Sequence, residues 1–199
     1  QLWNSISKIP LDCLVTTEET RLALRDAFYF EPVPTVSRVV FLGTPHAGSP
    51  KANRPVGRLG TKLVDEPSSM NAIRNQLLRD NPGAFTEEFE RRIPTSIDLL
   101  RPESPLLQEM NCLKYSDSVR LHSIIGCGYY LVGSGDSDKV VPVTSARISE
   151  VESERLIISK HTKINSNEKA LEELYRILEC HLVEPRVSET GYVVGRLQE

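Results

Sequence analysis

With 24 Lys and Arg against 27 Asp and Glu in 199 residues, the chain has a formal net charge of −3, and neither sign forms a long block. This balance argues against a surface for nucleic acid or for an anionic membrane. The length favours one domain, and the most apolar stretch, residues 123–132, falls short of the roughly 20 residues that a membrane helix needs.

The spacing of cysteine and histidine gives no indication of a metal site or a cofactor. Four cysteines are scattered without a C-x-x-C pair, and four histidines without an H-x-H or H-x-x-x-H pair. Neither a zinc site nor a dithiol redox motif is therefore expected, and no cofactor is predicted. Buried free thiols are the expected state of the cysteines, with one or two disulfides as the alternative.

A helix is predicted near the start of the chain. The segment TTEETRLALRDAFYF, residues 16–30, combines a capping box of Thr16 and Glu19 with an apolar face that includes Leu24 and Phe28. The segment EPVPTVS then ends the helix, because its prolines cannot continue the hydrogen-bond ladder.

A buried strand and a long insertion follow. RVVFLG, residues 38–43, has the length and β-branched content of a strand covered on both faces, and it stops at Gly43. Residues 51–119 are polar and interrupted by prolines, which is typical of a lid-like or substrate-facing insertion. Within it, we expect one helix over residues 70–77 that ends at NPG, and another at TEEFERRI.

The second half of the chain returns to a sheet and ends in a helix. RLHSIIGCGYYL, residues 120–131, predicts a second buried strand, and RLIIS, residues 155–159, predicts a third. A polar tail at 185–199 follows a domain at 1–184, whose alternation of strands and helices indicates the α/β class. A final helix from about residue 167 to 182 is predicted by apolar positions at helical spacing: Leu171, Leu174, Tyr175, Leu178 and Leu182.

Acidic and imidazole side chains follow the last two predicted strands. Asp136 and Asp138 lie in the loop after the second strand, and His161 comes directly after the third. Because parallel strands end at one edge of a sheet, we expect these side chains to meet there. An acid followed by a histidine is the order of the last two members of a Ser-Asp-His triad. His161 is the predicted general base, and either Asp136 or Asp138 is its orienting acid.

Three motifs resemble those of a known family. VVFLGTPHAGS resembles the strand and turn of bacterial α/β-hydrolases with lipase or esterase character, which carry a Thr-Pro-His-x-Gly-Ser motif. GSGDSDKVVPVTSA is similar to their Gly-x-x-Asp-Gly-Val-Val-Pro acid loop, and SKHTKI to their histidine loop. The resemblance, from about Leu2 to Leu182, places the acid at Asp138, and Lys139 stands where the family has glycine.

The resemblance implies the C-terminal part of an α/β-hydrolase fold, with parallel strands, flanking helices and a helical lid-like insertion. Thr44, Pro45 and His46 are then expected to form a wall of the active site. No G-x-S-x-G elbow occurs in the 199 residues, and QLWNSISKIPLDCL is similar to the segment that follows the elbow helix. The nucleophilic serine is therefore expected upstream of Gln1, and the chain alone is not expected to hydrolyse a substrate.

Other reactive side chains have simpler interpretations. His46 is expected to fix the loop after the first strand by hydrogen bonds, His122 to lie in the core, and His181 to interact with the dipole of the last helix. Cys127 lies within a predicted strand and Ser49 in a predicted turn, so neither is expected to be a nucleophile.

Two classes of function remain at this stage. The leading hypothesis is the C-terminal part of a serine hydrolase that cleaves a small-molecule or lipid carboxylic ester through an acyl-enzyme. A non-catalytic α/β-hydrolase-like module that binds a ligand or partner through the insertion is the alternative. An acyltransferase would use the same residues as the hydrolase.

Overall fold

The computed structural model describes residues 2–53, 68–91 and 93–183, so part of the predicted insertion and the predicted polar tail lie outside it. The architecture is α/β, as expected, with a parallel sheet flanked by helices. The strands are β1 (Arg38–Leu42), β2 (Arg120–Cys127), β3 (Tyr129–Leu131), β4 (Gly135–Ser137) and β5 (Ser153–Ile158). A three-stranded parallel sheet has the order β1-β2-β5, and β3 and β4 form an antiparallel hairpin.

The helices of the described residues are α1 (Glu18–Phe28), α2 (Ser68–Asp80), α3 (Glu87–Arg91), α4 (Ser96–Leu99), α5 (Pro105–Asn111), α6 (Val143–Ala146) and α7 (Glu168–Val183). Short 3₁₀ turns occur at Leu2–Ser5, Leu11–Cys13, Pro50–Asn53 and His161–Ser166. Among these described helices, none is long and apolar enough to cross a lipid bilayer. The helices predicted around residues 70–77 and at TEEFERRI are confirmed as α2 and α3.

The start of α1 differs from the prediction by one residue. The N-cap is Thr17, whose hydroxyl oxygen accepts a hydrogen bond from the backbone N–H of Thr20 at 3.2 Å. The predicted capping box of Thr16 and Glu19 is therefore wrong, because two threonines stand side by side and the second has the extended backbone that a cap requires. The helix ends at Phe28, two residues before the predicted end.

Strand β1 is the edge of the parallel sheet in the described part of the chain. All five of its residues are half-buried, so both faces are covered only in part and not fully as expected. Two hydrogen bonds show which residues of β1 face β2: Arg120 N–H donates to the Ser37 carbonyl, and Gly43 N–H donates to the Ile124 carbonyl. The odd-numbered residues therefore turn their backbone N–H and C=O groups toward β2. The backbone groups of Val40 and Leu42 are consequently directed to the side on which no described strand pairs.

The apolar run at 120–131 forms two strands instead of the single one predicted. Gly128 interrupts it with a backbone φ of 89°, which an L side chain adopts at a cost. The chain turns there into the β3–β4 hairpin, in which Asp136 pairs with Tyr130 and after which Asp138 follows. Strand β5 begins at Ser153, two residues before the predicted start.

Helix α7 confirms the predicted helix, with a buried face offset from the predicted apolar stripe. Ala170 and Ile177 are fully buried, and Leu174 packs on the same sheet face against Ile124 and Ile157. Four members of the predicted stripe are instead exposed by 37–77%. They are Leu171, Tyr175, Leu178 and Leu182.

The core consists of separate clusters. One joins the first 14 residues to α2 and the following turn, around Trp3 and Phe85. Two others cover the two faces of the sheet, around Ile124 and around Ile125. All four cysteines are free, as expected, although Cys13 and Cys112 are exposed and the other two are half-buried.

Candidate active site

Asp138 lies in a tight turn after β4 and is buried, with 1% of its surface exposed. Its Oδ1 accepts hydrogen bonds from the backbone N–H groups of Val140 and Val141, at 2.9 and 2.7 Å. The backbone N–H of Asp138 donates in turn to the carbonyl of Val141, at 3.2 Å. Two N–H donors on one oxygen compensate the burial of a carboxylate. The second oxygen, Oδ2, is left for a further partner.

That partner is His161, the first residue of the 3₁₀ turn after β5. Its Nδ1 lies 2.7 Å from Oδ2 of Asp138, and its backbone N–H donates to the Asp138 carbonyl at 2.9 Å. Because a carboxylate only accepts, the neutral ring carries its proton on Nδ1. The side chain is 34% exposed, and Nε2 is accessible with no hydrogen-bond partner among the described residues. This is the arrangement of a general base with an open lone pair.

Two glycines on neighbouring strands make room for the Asp138–His161 pair. A Cβ atom at Gly43 would lie 2.6 Å from Ile164 Cδ1, 3.3 Å from Oδ2 of Asp138 and 3.4 Å from Nδ1 of His161. A Cβ atom at Gly126 would lie 2.6 Å from Cβ of Asp138. The ends of β1 and β2 can therefore approach the pair only because both positions lack a side chain.

Of the two predicted acids, only Asp138 contacts the imidazole. Asp136 is exposed, and its Oδ1 accepts from the backbone N–H groups of Gly128 and Ser137 at 2.7 and 2.8 Å. These bonds close the base of the β3–β4 hairpin. Asp136 therefore holds the hairpin, whereas Asp138 faces His161.

Lys139 adopts the conformation that glycine favours. Its backbone φ is 77°, and no other non-glycine residue in the described ranges has a positive φ. For an L residue this conformation costs about 1–2 kcal/mol. The ammonium group lies over the Tyr129 ring, 4.6 Å from its centre. The turn around Asp138 thus keeps the geometry that a glycine would give, at the expense of local strain.

The predicted wall residues Thr44, Pro45 and His46 form a turn directly after Gly43. The N–H of Gly48 donates to the Pro45 carbonyl at 2.9 Å, which closes the turn. None of the three makes a hydrogen bond to Asp138 or His161 within the described residues, and their contact with a substrate stays a prediction.

The expected hydrogen-bonding role of the His46 ring is wrong. The ring packs edge-on against Phe41, with centres 4.6 Å apart, and its buried Nε2 has no hydrogen-bond partner among the described residues. Burial lowers the pKa of His46, so the neutral ring is favoured. Aromatic packing holds this side chain, and the backbone holds the loop: Asn111 Nδ2 donates to the His46 carbonyl at 2.7 Å.

His122 is buried in the core, as expected, with 1% of its surface exposed. Its Nε2 lies 2.5 Å from Nη1 of Arg38, and its Nδ1 lies 2.8 Å from the hydroxyl of Ser153. Because a guanidinium only donates, Nε2 accepts and the ring is neutral. Burial, followed by the charge of Arg38, lowers the pKa of His122.

Cys127 is the last residue of β2, whereas the sequence predicted it within a single longer strand. Its thiol donates to the carbonyl of Ile157 at 3.3 Å, and burial together with Asp136 raises its pKa. Both features disfavour the thiolate that a nucleophile requires. Across the described ranges, no cluster of three or more His, Cys, Asp or Glu side chains suits a metal ion.

The described part of the insertion packs on the N-terminal segment and α1, and an apolar cavity of about 540 Å³ lies between them. Leu24, Phe28, Ile73 and Phe89 are among its lining residues. None of the described lining residues comes from the loops of Asp138 or His161. The lid role of the insertion therefore stays a prediction.

Sequence reasoning missed Gly126 and assigned Ser49 only to a turn. The signal for Gly126 was a glycine inside an otherwise apolar strand, which marks the close approach of another group. The signal for Ser49 was a serine directly after a turn glycine, and its partner lies far along the chain: its Oγ donates to the carbonyl of Val140 at 2.6 Å.

No model of a known protein family matches the chain, and no curated protein sequence matches it. Among solved structures, the chain is similar to the mature form of the Bacillus licheniformis lipase BlEst2, with a TM-score of 0.37 and 16% sequence identity. The match covers 81% of this chain and 60% of the lipase chain, so this chain spans about 60% of that lipase's length.

Proposed function

We propose that the chain carries the acid and the base of a serine hydrolase that cleaves carboxylic esters, with Asp138 as the acid and His161 as the base. One observation supports this above all: Nδ1 of His161 lies 2.7 Å from the buried Asp138 carboxylate, while Nε2 is accessible. His161 comes directly after β5, and Asp138 follows the β3–β4 hairpin that comes after β2, so both groups lie at the carboxyl edge of the parallel sheet. Ligands bind at this edge in open α/β folds.

The chemistry follows from this geometry. Nε2 of His161 takes the proton of a serine hydroxyl as its oxygen attacks the ester carbonyl, and Asp138 stabilises the imidazolium that forms. The imidazolium then gives the proton to the departing alkoxide, and the acyl group stays bound to the serine as an acyl-enzyme. Water, activated by the same ring, releases the acid. An acyltransferase would differ only in accepting an alcohol or amine in place of water.

The serine is proposed to come from a strand that adds to the open edge of β1. The backbone groups of Val40 and Leu42 are directed to this edge, and Gly43 at the end of β1 lies against the acid–base pair. A strand paired in parallel with β1 ends beside Gly43, so a serine on the turn after it is within reach of Nε2. In agreement with the family resemblance, we assign this serine to a segment upstream of Gln1.

The test uses the intact protein and a chromogenic carboxylic ester. His161→Ala is expected to lower turnover by about 10⁴-fold or more, because no other group takes the serine proton. A fluorophosphonate probe is expected to label one serine outside residues 1–199. Ordinary turnover in His161→Ala, or labelling of a serine within residues 1–199, would contradict the proposal.

Asp138→Asn and Asp136→Asn form a matched pair for the acid. Asp138→Asn is expected to lower kcat by about 10⁴-fold, because an amide does not hold the imidazolium as a carboxylate does. Asp136→Asn keeps an oxygen that accepts from Gly128 and Ser137, so its turnover is expected within a few-fold of the wild type. Equal losses in both variants would refute the assignment of the acid.

A further inference from the structure

We propose that Ser49 is a positioning residue for the Asp138–His161 pair and that it acts through the peptide group between Val140 and Val141. Ser49 is buried, with 4% of its surface exposed, at the end of the Thr-Pro-His-x-Gly-Ser motif. Its hydroxyl donates to the carbonyl of Val140 at 2.6 Å, across 91 positions of sequence. The motif and the acid loop, which are far apart in the chain, are joined at this bond.

The carbonyl of Val140 and the N–H of Val141 belong to the same planar peptide group. That N–H donates to Oδ1 of Asp138 at 2.7 Å, and Oδ2 of Asp138 lies 2.7 Å from Nδ1 of His161. A continuous path of hydrogen bonds therefore runs from the Ser49 hydroxyl through one rigid plane to the carboxylate and the imidazole. Fixing one end of a rigid plane fixes the direction of the other, and consecutive hydrogen bonds polarise one another.

Ser49 itself is held by a rigid frame. Its backbone N–H donates to the carbonyl of Leu100 at 2.8 Å. The carbonyl of Gly48 accepts a hydrogen bond from the buried hydroxyl of Ser145, and the backbone of Gly48 is so close to Pro102 that a Cβ atom would lie 2.7 Å from its nitrogen. Groups that orient a site act best from such a fixed support.

Two other roles for Ser49 fit the contacts less well. A nucleophile needs its hydroxyl proton directed at a base, but the donor of Ser49 is used by Val140. A turn role alone leaves the shorter contact unexplained: the hydroxyl oxygen accepts the backbone N–H of Lys51 at 3.2 Å within the turn, but its O–H donates to the Val140 carbonyl at 2.6 Å, outside the turn. The side chain of Ser49 is needed for the contact with the acid loop.

The first consequence is structural and independent of any activity. In Ser49→Ala the Val140 carbonyl loses this partner, the peptide plane is less constrained, and the Asp138–His161 contact opens more often. The proton on Nδ1 of His161 is then expected to exchange with water about 10-fold faster or to vanish from the downfield proton NMR spectrum. Unchanged exchange would overturn the proposal.

Ser7→Ala is the matched control away from the pair. Ser7 is equally buried at 4% exposure, and its hydroxyl donates to the carbonyl of Ile9 at 2.9 Å, outside both the path described above and the frame that holds Ser49. This variant is expected to lose stability while keeping the His161 proton signal of the wild type. An equal loss of signal in both variants would show a general loosening of the fold and refute the specific role of Ser49.

The catalytic consequence rests on the proposed function. Ser49 orients the acid and touches no substrate, so Ser49→Ala is expected to lower kcat about 10-fold with KM unchanged. A loss of this size is typical when a hydrogen bond that orients a functional group is removed. If the NMR result holds and no ester is cleaved by the intact wild-type protein, the positioning role stands and the proposed function fails. If Ser49→Ala does not fold, Ser49→Cys keeps a similar volume with a weaker donor. The proton on Nδ1 of His161 is then expected to exchange faster than in the wild type. A wild-type exchange rate would refute the role of Ser49.

Discussion

Gly126→Ala is expected to separate Asp138 from His161 without changing either group. The new Cβ atom would lie 2.6 Å from Cβ of Asp138, an atom one bond from the backbone that cannot swing aside. Asp138 has to move by about 0.8 Å to reach an ordinary contact of 3.4 Å. If the whole shift lengthens the 2.7 Å contact between Oδ2 of Asp138 and Nδ1 of His161, these two atoms end about 3.5 Å apart. That distance is beyond a good hydrogen bond. Overpacking of this kind costs about 1–3 kcal/mol of stability, and a misplacement of about 1 Å lowers a rate about 100-fold.

The assay measures both consequences in the same preparations. Urea unfolding gives the loss of stability, and turnover of a chromogenic ester by the intact protein gives kcat. Gly133→Ala is the control, because Gly133 has a φ of +82° with no atom within 4 Å of a Cβ, so it introduces strain of about 1–2 kcal/mol away from the pair. Only Gly126→Ala is expected to lower kcat. Wild-type kcat in Gly126→Ala, or an equal fall in Gly133→Ala, would refute the reasoning.

Three further predictions concern the surroundings of the pair. Lys139→Gly is expected to be more stable than Lys139→Ala by about 1 kcal/mol in urea unfolding, because the backbone φ at position 139 is 77° and alanine keeps the strain. A more stable alanine variant would contradict the left-handed turn. The pKa of His122 is lowered from 6.5 by burial and by Arg38, so the unfolded chain binds a proton that the folded chain does not, and stability is lost as the pH falls through about 6.5. Urea unfolding at about pH 8 and about pH 5.5 measures this loss, and His122→Gln is expected to reduce it; an unchanged pH dependence would refute the assignment. Burial and Asp136 raise the pKa of Cys127, so iodoacetamide at about pH 8 is expected to modify the exposed Cys13 faster than Cys127. Cys127→Ala is expected to keep ester turnover. Loss of turnover with a folded protein would argue for a thiol nucleophile.

Several features of the fold follow from local sequence signals. The apolar run before Gly43 ends where glycine takes a φ of 57°, and the following turn leaves the sheet as expected. Helices α2 and α7 were predictable because their apolar positions repeat at helical spacing over several turns. The boundary errors arise where two neighbouring residues have the same local chemistry, as with Thr16 and Thr17 at the start of α1.

Burial was less predictable than element type. The spacing in α7 marks an apolar stripe, but which residues of it pack on the sheet depends on the rotation of the helix against Ile124 and Ile157. Strand β1 has the composition of a strand covered on both faces, yet its burial depends on which helices and loops pack on those faces. Both properties are decided by neighbours that are distant in sequence.

The order of the chain was enough to predict that an acid and an imidazole lie at one edge of the sheet, because parallel strands bring their carboxyl ends together. The choice between Asp136 and Asp138 had support from a motif, but their contacts separate only in three dimensions, where one closes a hairpin and the other reaches His161. The position of Ser49 after a turn glycine indicates a turn, but nothing local indicates its contact with the acid loop. This contact exists because a hydroxyl and a peptide group 91 positions apart are packed within 2.6 Å, and such a distance is set by the whole fold.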